Sequence, residues 1–379
     1  MHNKRFYGLD QIFQQCSKHP HPPTCEDDKF HDSAIYALVL DCTAFLSFVD
    51  AAKSQPYLQK DRRKFFKRVT GTGVLLAVSQ LPALAEDNPQ VFAKRGQYER
   101  LALAYATVEI GLPKPFSILH ISDTHLTAAY PHENEKKQQL KENRTQCFGG
   151  RQEEALRDSL AWAKEHVDYV IHTGDLIDWQ SEANFDLVRK YFGKGIGGCL
   201  GNHEYSTDMW LSEPKQENTE AYKDRSRDLI QKTFPFNTSI QSQVVNGVNF
   251  IALDDVYGTV TPQQVKQFKE EVKKGLPIVL CMHVPFYTDL IWRATERFWN
   301  NTLASDIQDK AYSPSGDYEA QKKDATTRDF IAYLKEEPLL KAVLTGHLHV
   351  TVEEQFSPTA RQYVVGSNFL FHGREILFI

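Results

Sequence analysis

The stretch FSILHISDTHL, residues 116–126, joins an apolar run to a polar end. The apolar residues of the run are Phe116, Ile118, Leu119 and Ile121. Asp123 and His125 follow directly, where a buried strand would end. Removing a carboxylate and an imidazole from water costs several kcal/mol unless a partner or a metal ion compensates. The stretch therefore predicts a buried strand that delivers Asp123 and His125 to a site with a compensating charge.

The same pattern recurs along the rest of the chain. Short apolar runs with Asp, His or Asn at their ends lie at 168–175, 197–204, 248–255, 276–283 and 340–347. Helical patterns lie between them, for example at 152–167 and 326–337. This alternation is typical of an α/β fold, in which the ligand site lies outside the carboxyl ends of the strands. We therefore expect the polar strand ends to meet at one site.

The strand ends supply more donors than one metal ion binds. They are Asp123, His125, Asp175, Asp178, Asn202, His203, Glu204, His283, His347 and His349. Carboxylate, imidazole and amide donors suit a borderline divalent ion such as Mn, Fe or Zn, and the lack of thiols argues against a structural zinc site. A lone His283 is more often a core histidine than a ligand. Five motifs in one order nevertheless indicate two ions that share a bridging carboxylate.

The motifs D-x-H (123–125), G-D-x-x-D (174–178), G-N-H-E (201–204), a lone histidine (283) and G-H-x-H (346–349) resemble the signature of the calcineurin-like metallophosphoesterases. The resemblance covers about residues 98–379. It implies a four-layer αββα sandwich of two mixed sheets with a dinuclear metal site. Purple acid phosphatases carry tyrosine where His125 and Asp178 stand, so we exclude that branch.

The resemblance also implies a ligand set. Asp123, His125, Asp175 and His349 would hold one metal. Asp175, as the bridge, and Asn202, His283 and His347 would hold the other. Gly174, Gly201 and Gly346 fit tight turns where the backbone passes close to the metals.

The chemistry predicted for this site is hydrolysis of a phosphomonoester or a phosphodiester. Two ions about 3.5–4 Å apart lower the pKa of a bridging water and clamp the phosphoryl oxygens for in-line attack. His203 follows the ligand Asn202 and has no metal assigned, so we expect it to assist the leaving oxygen, with Asp178 orienting its ring. Glu204 either supports the site from behind the ligands or is a turn residue.

Composition separates the alternatives. The 379 residues, 41% hydrophobic and 25% charged, are typical of a globular protein. A net charge of −5 gives no footprint for nucleic acid, so a small-molecule phosphoester is favoured over a nuclease substrate. The second hypothesis is an inactive binding or scaffold protein on the same fold. The intact ligand set argues against it, because buried Asp and His are costly to keep without metals.

Two cap-like insertions, 205–243 and 286–325, interrupt the domain and are expected to form the substrate wall. The second is aromatic, with Phe286, Tyr287, Trp292, Phe298 and Trp299. These rings either stack on a substrate base or sugar or pack the cap, and we favour packing for most of them. Candidate phosphate contacts are Arg151, Arg293 and Arg297, but no substrate-binding residue is assigned.

Residues 58–85 resemble a twin-arginine export signal. DRRKFFK opens the stretch 61–87, and a mild apolar run ending in small residues follows it. No cysteine follows the predicted cut and the apolar run is marginal for a membrane span, so we expect no stable membrane anchor. The expected product is a periplasmic or secreted enzyme, 86–379, exported by the twin-arginine machinery. The opposing interpretation is an amphipathic helix on a cytoplasmic protein.

Residues 1–57 differ in composition from the rest of the chain. They are either an N-terminal extension or a segment before a later start of translation, for which Leu58 is a plausible place. We favour the later start, which would need a non-AUG codon because no methionine lies between Met1 and Met209. The six cysteines do not form a disulfide scaffold, and Cys199 and Cys281 are expected to be buried thiols.

Overall fold

A computed structural model describes residues 100–193, 196–207, 220–302 and 315–379. The expectations for the N-terminal extension and the export signal lie outside these residues. Within the described part of the chain, no helix is both long and apolar enough to span a membrane.

Eleven strands alternate with helices in the described residues. The strands are β1 (Ala102–Val108), β2 (Phe116–Ile121), β3 (Tyr169–Thr173), β4 (Ile196–Cys199), β5 (Ile240–Val245), β6 (Val248–Leu253), β7 (Ile278–Cys281), β8 (Leu340–Thr345), β9 (Val352–Gln355), β10 (Arg361–Val364) and β11 (His372–Phe378). The helices are α1 (Glu135–Cys147), α2 (Gln152–His166), α3 (Glu182–Tyr191), α4 (Glu220–Asp224), α5 (Arg227–Thr233), α6 (Pro262–Val272), α7 (Asp289–Thr302), α8 (Ser315–Lys323) and α9 (Ala325–Glu336). The helical patterns at 152–167 and 326–337 correspond to α2 and α9, whereas α1 and α8 are among the helices that the sequence did not predict.

The strands form two mixed sheets. The first has the order β1-β11-β2-β3-β4, and only the β11–β2 pair is antiparallel. The second has the order β5-β6-β7-β8-β10-β9, with antiparallel pairs only at its two ends. Strands β2, β3 and β4 are parallel to one another, and so are β6, β7 and β8. Each set therefore delivers its following loops to one edge of its sheet.

The two sheets face each other across a shared apolar core. Phe116 of the first sheet stacks on Phe378 with ring centroids 5.0 Å apart, and it meets Phe250 of the second sheet edge-on at 6.4 Å. Cys199 and Cys281 are buried in the same core as free thiols, as expected from the sequence. Burying each large apolar side chain contributes about 1.5–3 kcal/mol, so this core is a main source of stability.

Helices cover the outer faces of the sheets. Phe268 of α6 and Phe330 of α9 pack on the second sheet, and α2 packs on β2 and β3 of the first. Helix α6 begins at a complete capping box between Thr261 and Gln264, with Pro262 in its first turn. The predicted αββα sandwich is thereby confirmed.

Candidate metal centre

The site lies on the loops that follow the parallel strands of both sheets. Five of its residues have left-handed backbone conformations, which are rare for side chains other than glycine. They are Asp123 (φ 54°), His125 (φ 50°), Asp175 (φ 56°), His347 (φ 67°) and His349 (φ 60°). Each such conformation costs on the order of 1–3 kcal/mol and persists only where the surrounding structure fixes it. Such a concentration of strained, polar residues indicates a functional site.

Glycines allow the loops to approach one another at this site. Gly174 itself has φ 95°. A Cβ atom on Gly201 would overlap with the carboxylate of Asp175, and one on Gly346 would overlap with Ser122 and lie 2.5 Å from Asp123 Oδ2. These glycines therefore let the loops that carry the donor residues approach one another closely.

The first ligand group consists of Asp123, His125 and His349, which are all buried. His349 Nε2 lies 3.4 Å from Asp123 Oδ1 and 3.2 Å from His125 Nε2. His125 Nδ1 lies 2.8 Å from Asp178 Oδ1, and donation to that carboxylate leaves the lone pair of the neutral ring on Nε2. The free nitrogen of His125 therefore points towards the other donors of its group.

The second ligand group consists of Asn202, His283 and His347. His283 Nε2 lies 3.2 Å from Asn202 Oδ1 and 3.2 Å from His347 Nδ1. His283 Nδ1 lies 2.7 Å from the carbonyl oxygen of Thr173, to which it donates, so the lone pair of the neutral ring also lies on Nε2. These donors converge on one point, as the first group does.

Asp175 lies between the two groups. Its Oδ2 is 3.7 Å from His125 Nε2 and 3.3 Å from His283 Nε2. Its Oδ1 accepts a hydrogen bond from the backbone N–H of His203 at 2.9 Å. The structure thus brings all seven expected ligand residues together, with the expected bridge at the centre.

The donor set fits divalent cations. Burial raises the pKa of Asp123, but the hydrogen bond and charge of His349 outweigh it and lower the pKa to about 2. Burial likewise raises the pKa of Asp175, yet the charges of His283 and His203 hold it well below its usual range. Two ionised carboxylates, imidazole nitrogens and an amide oxygen in a desolvated space are ligands that divalent transition metals and zinc bind.

Asp178 and His203 lie together beside the ligands. His203 Nδ1 is 2.9 Å from Asp178 Oδ1, and 2.9 Å from the backbone oxygen of Asp178. His203 Nε2 is buried, has no hydrogen-bond partner among the described residues, and lies 3.9 Å from Asp175 Oδ2. Burial lowers the pKa of His203, but Asp175 and Asp178 outweigh it and raise the pKa to about 9. The ring is held at one nitrogen and directs the other towards the ligand atoms.

Arg144 of α1 completes this arrangement and was not predicted from the sequence. Its guanidinium donates to both oxygens of Asp178, with Nη2 2.7 Å from Oδ1 and Nε bonded to Oδ2. Both side chains are buried, and Arg144 and His203 outweigh the effect of burial and hold the pKa of Asp178 well below its usual range. No signal marks Arg144, because α1 is a polar helix without a strong apolar stripe.

Glu204 supports the turns from behind the ligands. Its carboxylate accepts from the backbone N–H groups of Gly201 (2.6 Å), Asp175 (2.9 Å) and Ile177 (3.1 Å). Burial, aided by the charge of Asp175, raises the pKa of Glu204 to about 7. Of its two interpretations, the supporting role is the one that these contacts favour, since they join the loops after β3 and β4.

Asp255 performs the same task for the loop after β7. It accepts from the backbone N–H groups of His283 (2.9 Å) and Val284 (3.2 Å). Burial raises its pKa to about 7. The sequence placed Asp255 at a strand end but gave no reason to single it out.

The three candidate phosphate contacts form no bond with the ligand residues in the described part of the chain. Arg293 and Arg297 are exposed on α7, and Arg151 pairs with Glu154. Trp299 is buried and donates to the carbonyl of Leu348 at 3.2 Å, which confirms packing for that ring.

Comparison with known proteins places these observations in a family context. The model of the calcineurin-like phosphoesterase family matches residues 116–351, more than half of the chain. A search of curated proteins finds no match.

Solved structures to which this chain is similar include three phosphatases or nucleotidases. A dimetal phosphatase from Danio rerio is 15% identical, with 68% of this chain and 89% of that one covered and a TM-score of 0.36. A purple acid phosphatase from yellow lupin seeds is 11% identical (67% and 44% covered, TM-score 0.38). The 5′-nucleotidase of Candida albicans is 13% identical (71% and 47% covered, TM-score 0.34). The chain therefore spans less than half of the length of the latter two proteins.

Proposed function

The chain belongs to the calcineurin-like phosphoesterase family, and on that premise we propose that it hydrolyses a phosphomonoester or phosphodiester of a small molecule with the help of two divalent cations. The observation that carries the proposal is the convergence of two ligand groups, whose carboxylates and imidazoles are buried, on the carboxylate of Asp175. Such a set of desolvated donors is costly unless cations occupy it.

The residues of the chain have distinct tasks in this proposal. Asp123, His125 and His349 would hold one cation, and Asn202, His283 and His347 the other, with Asp175 shared between them. When bound, the cations act as Lewis acids that polarise the phosphoryl group and promote loss of a proton from water. The donor set suits Mn, Fe or Zn.

His203 supplies the proton for the leaving group. Its Nε2 faces the ligand atoms with no competing hydrogen bond among the described residues, and transfers its proton to the leaving oxygen as the bond from that oxygen to phosphorus breaks. Asp178 holds the ring through Nδ1, and Arg144 fixes Asp178 in turn. Because Asp178 also bonds to His125, one buried carboxylate orients a metal ligand and the proton donor together.

The test is metal analysis of the purified full chain, followed by hydrolysis of p-nitrophenyl phosphate and bis(p-nitrophenyl) phosphate. We expect two cations per chain and turnover of at least one ester. Bound cations without hydrolysis of any phosphoester would favour the inactive binding or scaffold protein instead. A chain that binds no divalent cation would overturn the proposal.

We further propose that the enzyme is exported through the twin-arginine machinery to the periplasm or the exterior. Folded export suits an enzyme whose ligands meet only after folding, because the cytoplasm then chooses the ion. N-terminal sequencing of the native protein should find Glu86 first, and replacing Arg62 and Arg63 with lysine should retain the precursor. An intact Met1 on a cytoplasmic protein would end this proposal.

A further inference from the structure

A carboxylate from the second insertion reaches the metal centre. Asp317 lies in the first turn of α8, and its Oδ2 is 3.1 Å from Nε2 of His347. From its sequence this insertion is expected to form the substrate wall, and no pattern gives Asp317 a role. The contact instead places the insertion directly behind a member of the second ligand group.

Helix α8 is fixed to the loop that carries another member of that group. Gln321 donates to the carbonyl of Pro285 at 2.9 Å and accepts from the N–H of Tyr287 at 3.1 Å. Tyr318 is buried, and its ring lies 5.1 Å from that of Tyr287. Since Pro285 follows His283 by two residues, α8 and the loop after β7 form one packed unit. This packing fixes the position of α8, and therefore of Asp317, relative to the loop after β7.

The contact decides which nitrogen of His347 is available. A carboxylate accepts the N–H of an imidazole, so Asp317 keeps the proton on Nε2 and leaves the lone pair on Nδ1. Nδ1 is the atom that lies 3.2 Å from His283 Nε2, within the second ligand group. The rings of His125 and His283 use Nε2 for this purpose, and each is held through Nδ1 by another partner. His347 has the opposite arrangement, and Asp317 is positioned to enforce it.

We propose that Asp317 is a positioning residue that selects Nδ1 of His347 as a ligand and thereby makes retention of the second cation depend on the insertion. This inference rests on the proposed function. Partners of this kind typically contribute 10–100-fold to metal affinity. Removing the carboxylate of Asp317 should lower the affinity of the second ligand group for its cation by about that factor. The cation of the first ligand group should stay bound.

The experiment compares Asp317→Ala and Asp317→Asn with Glu319→Ala in the full chain. Glu319 is on the same helix but is exposed, and among the described residues it pairs with Lys322 and Lys323 alone, which makes it the matched control. Each protein is dialysed against a graded series of chelator concentrations, and bound metal is counted. We expect Asp317→Ala to lose one cation at about 10–100-fold lower chelator, Asp317→Asn to lose it at an intermediate concentration, and Glu319→Ala to match the wild type.

Two outcomes separate the inference from its premise. A wild-type chain that binds no cations contradicts the proposed function itself. A wild-type chain with two cations, and Asp317 variants that retain both as tightly, contradicts only the role of Asp317. Circular dichroism checks that Asp317→Ala folds, and the nearly isosteric Asp317→Asn keeps the test decisive if it does not.

Discussion

The two ligand groups meet at Asp175, but different structure lies behind each. The first is surrounded by rings: Phe148 stacks on His125 at 4.7 Å, and Trp299 lies 5.6 Å from His349. Behind it lies the buried Arg144–Asp178 ion pair. The second ligand group is supported by the backbone carbonyl of Thr173, which holds His283, and by Asp317 of the second insertion, which holds His347.

The backbone shows the same difference. All three members of the first group have left-handed conformations, whereas His347 is the only member of the second group that does. The first group also has a carboxylate of its own, Asp123, while the second has the neutral amide of Asn202. We infer that the first ligand group is the more rigid and the more strongly charged of the two halves of the site. The affinity of the second group for its cation then depends more on the residues that support it.

The largest effect is expected where the two halves join. Asp175→Asn removes the one charge that both groups share, so we predict loss of both cations and of all measurable hydrolysis. Metal analysis beside an activity assay checks this. Retention of one cation would show that the halves bind independently and that Asp175 is not a bridge.

The second-largest effect is expected on the turnover number, with metal content unchanged. His203→Ala should keep both cations and lose about 10²–10⁴ in kcat, the range for a general acid. The loss should be smaller for esters whose leaving group is p-nitrophenolate, which needs little protonation. Because His203 must be protonated to donate, kcat of the wild type should fall as the pH rises through the pKa of His203, about 9, and this fall should be absent in the variant. An equal loss with good and poor leaving groups would remove His203 from this role.

The sequence indicated the seven candidate ligands, but it did not indicate two of the residues that support them. Asp123 and His283 stand directly after apolar strands, and local pattern alone reveals such positions. Arg144 and Asp317 act on the site from helices that the sequence did not predict, through contacts with residues 34 and 30 positions away. Local pattern carries no information on such pairings, because only the folded chain creates them.

A smaller effect tests the support of the first half. Arg144→Met removes the guanidinium partner of the buried Asp178 charge and leaves only the rings of His125 and His203 beside it, so we predict a loss of about 3–5 kcal/mol in the free energy of unfolding. Urea denaturation of the metal-free chain measures it. Arg189→Met, which breaks an exposed pair with Asp186, should cost much less, because solvent screens that pair. Equal losses of stability in the two variants would mean that the buried Arg144–Asp178 pair stabilises the fold no more than an exposed pair does.

The smallest effect is the difference in affinity between the halves. Because ligand charge tunes metal affinity, we predict that the second cation leaves first, at about tenfold lower chelator concentration. Asn202→Asp adds a carboxylate to the second group and should bring the chelator concentrations at which the two cations leave closer together. Asp123→Asn lowers the affinity of the first group, so it should also bring these concentrations closer or reverse the order of release. Counting bound metal along the same chelator series for all three proteins gives the order of release. If Asn202→Asp moved these concentrations further apart, repulsion between its new charge and Asp175 would outweigh attraction to the cation, and charge count would not explain the difference between the halves.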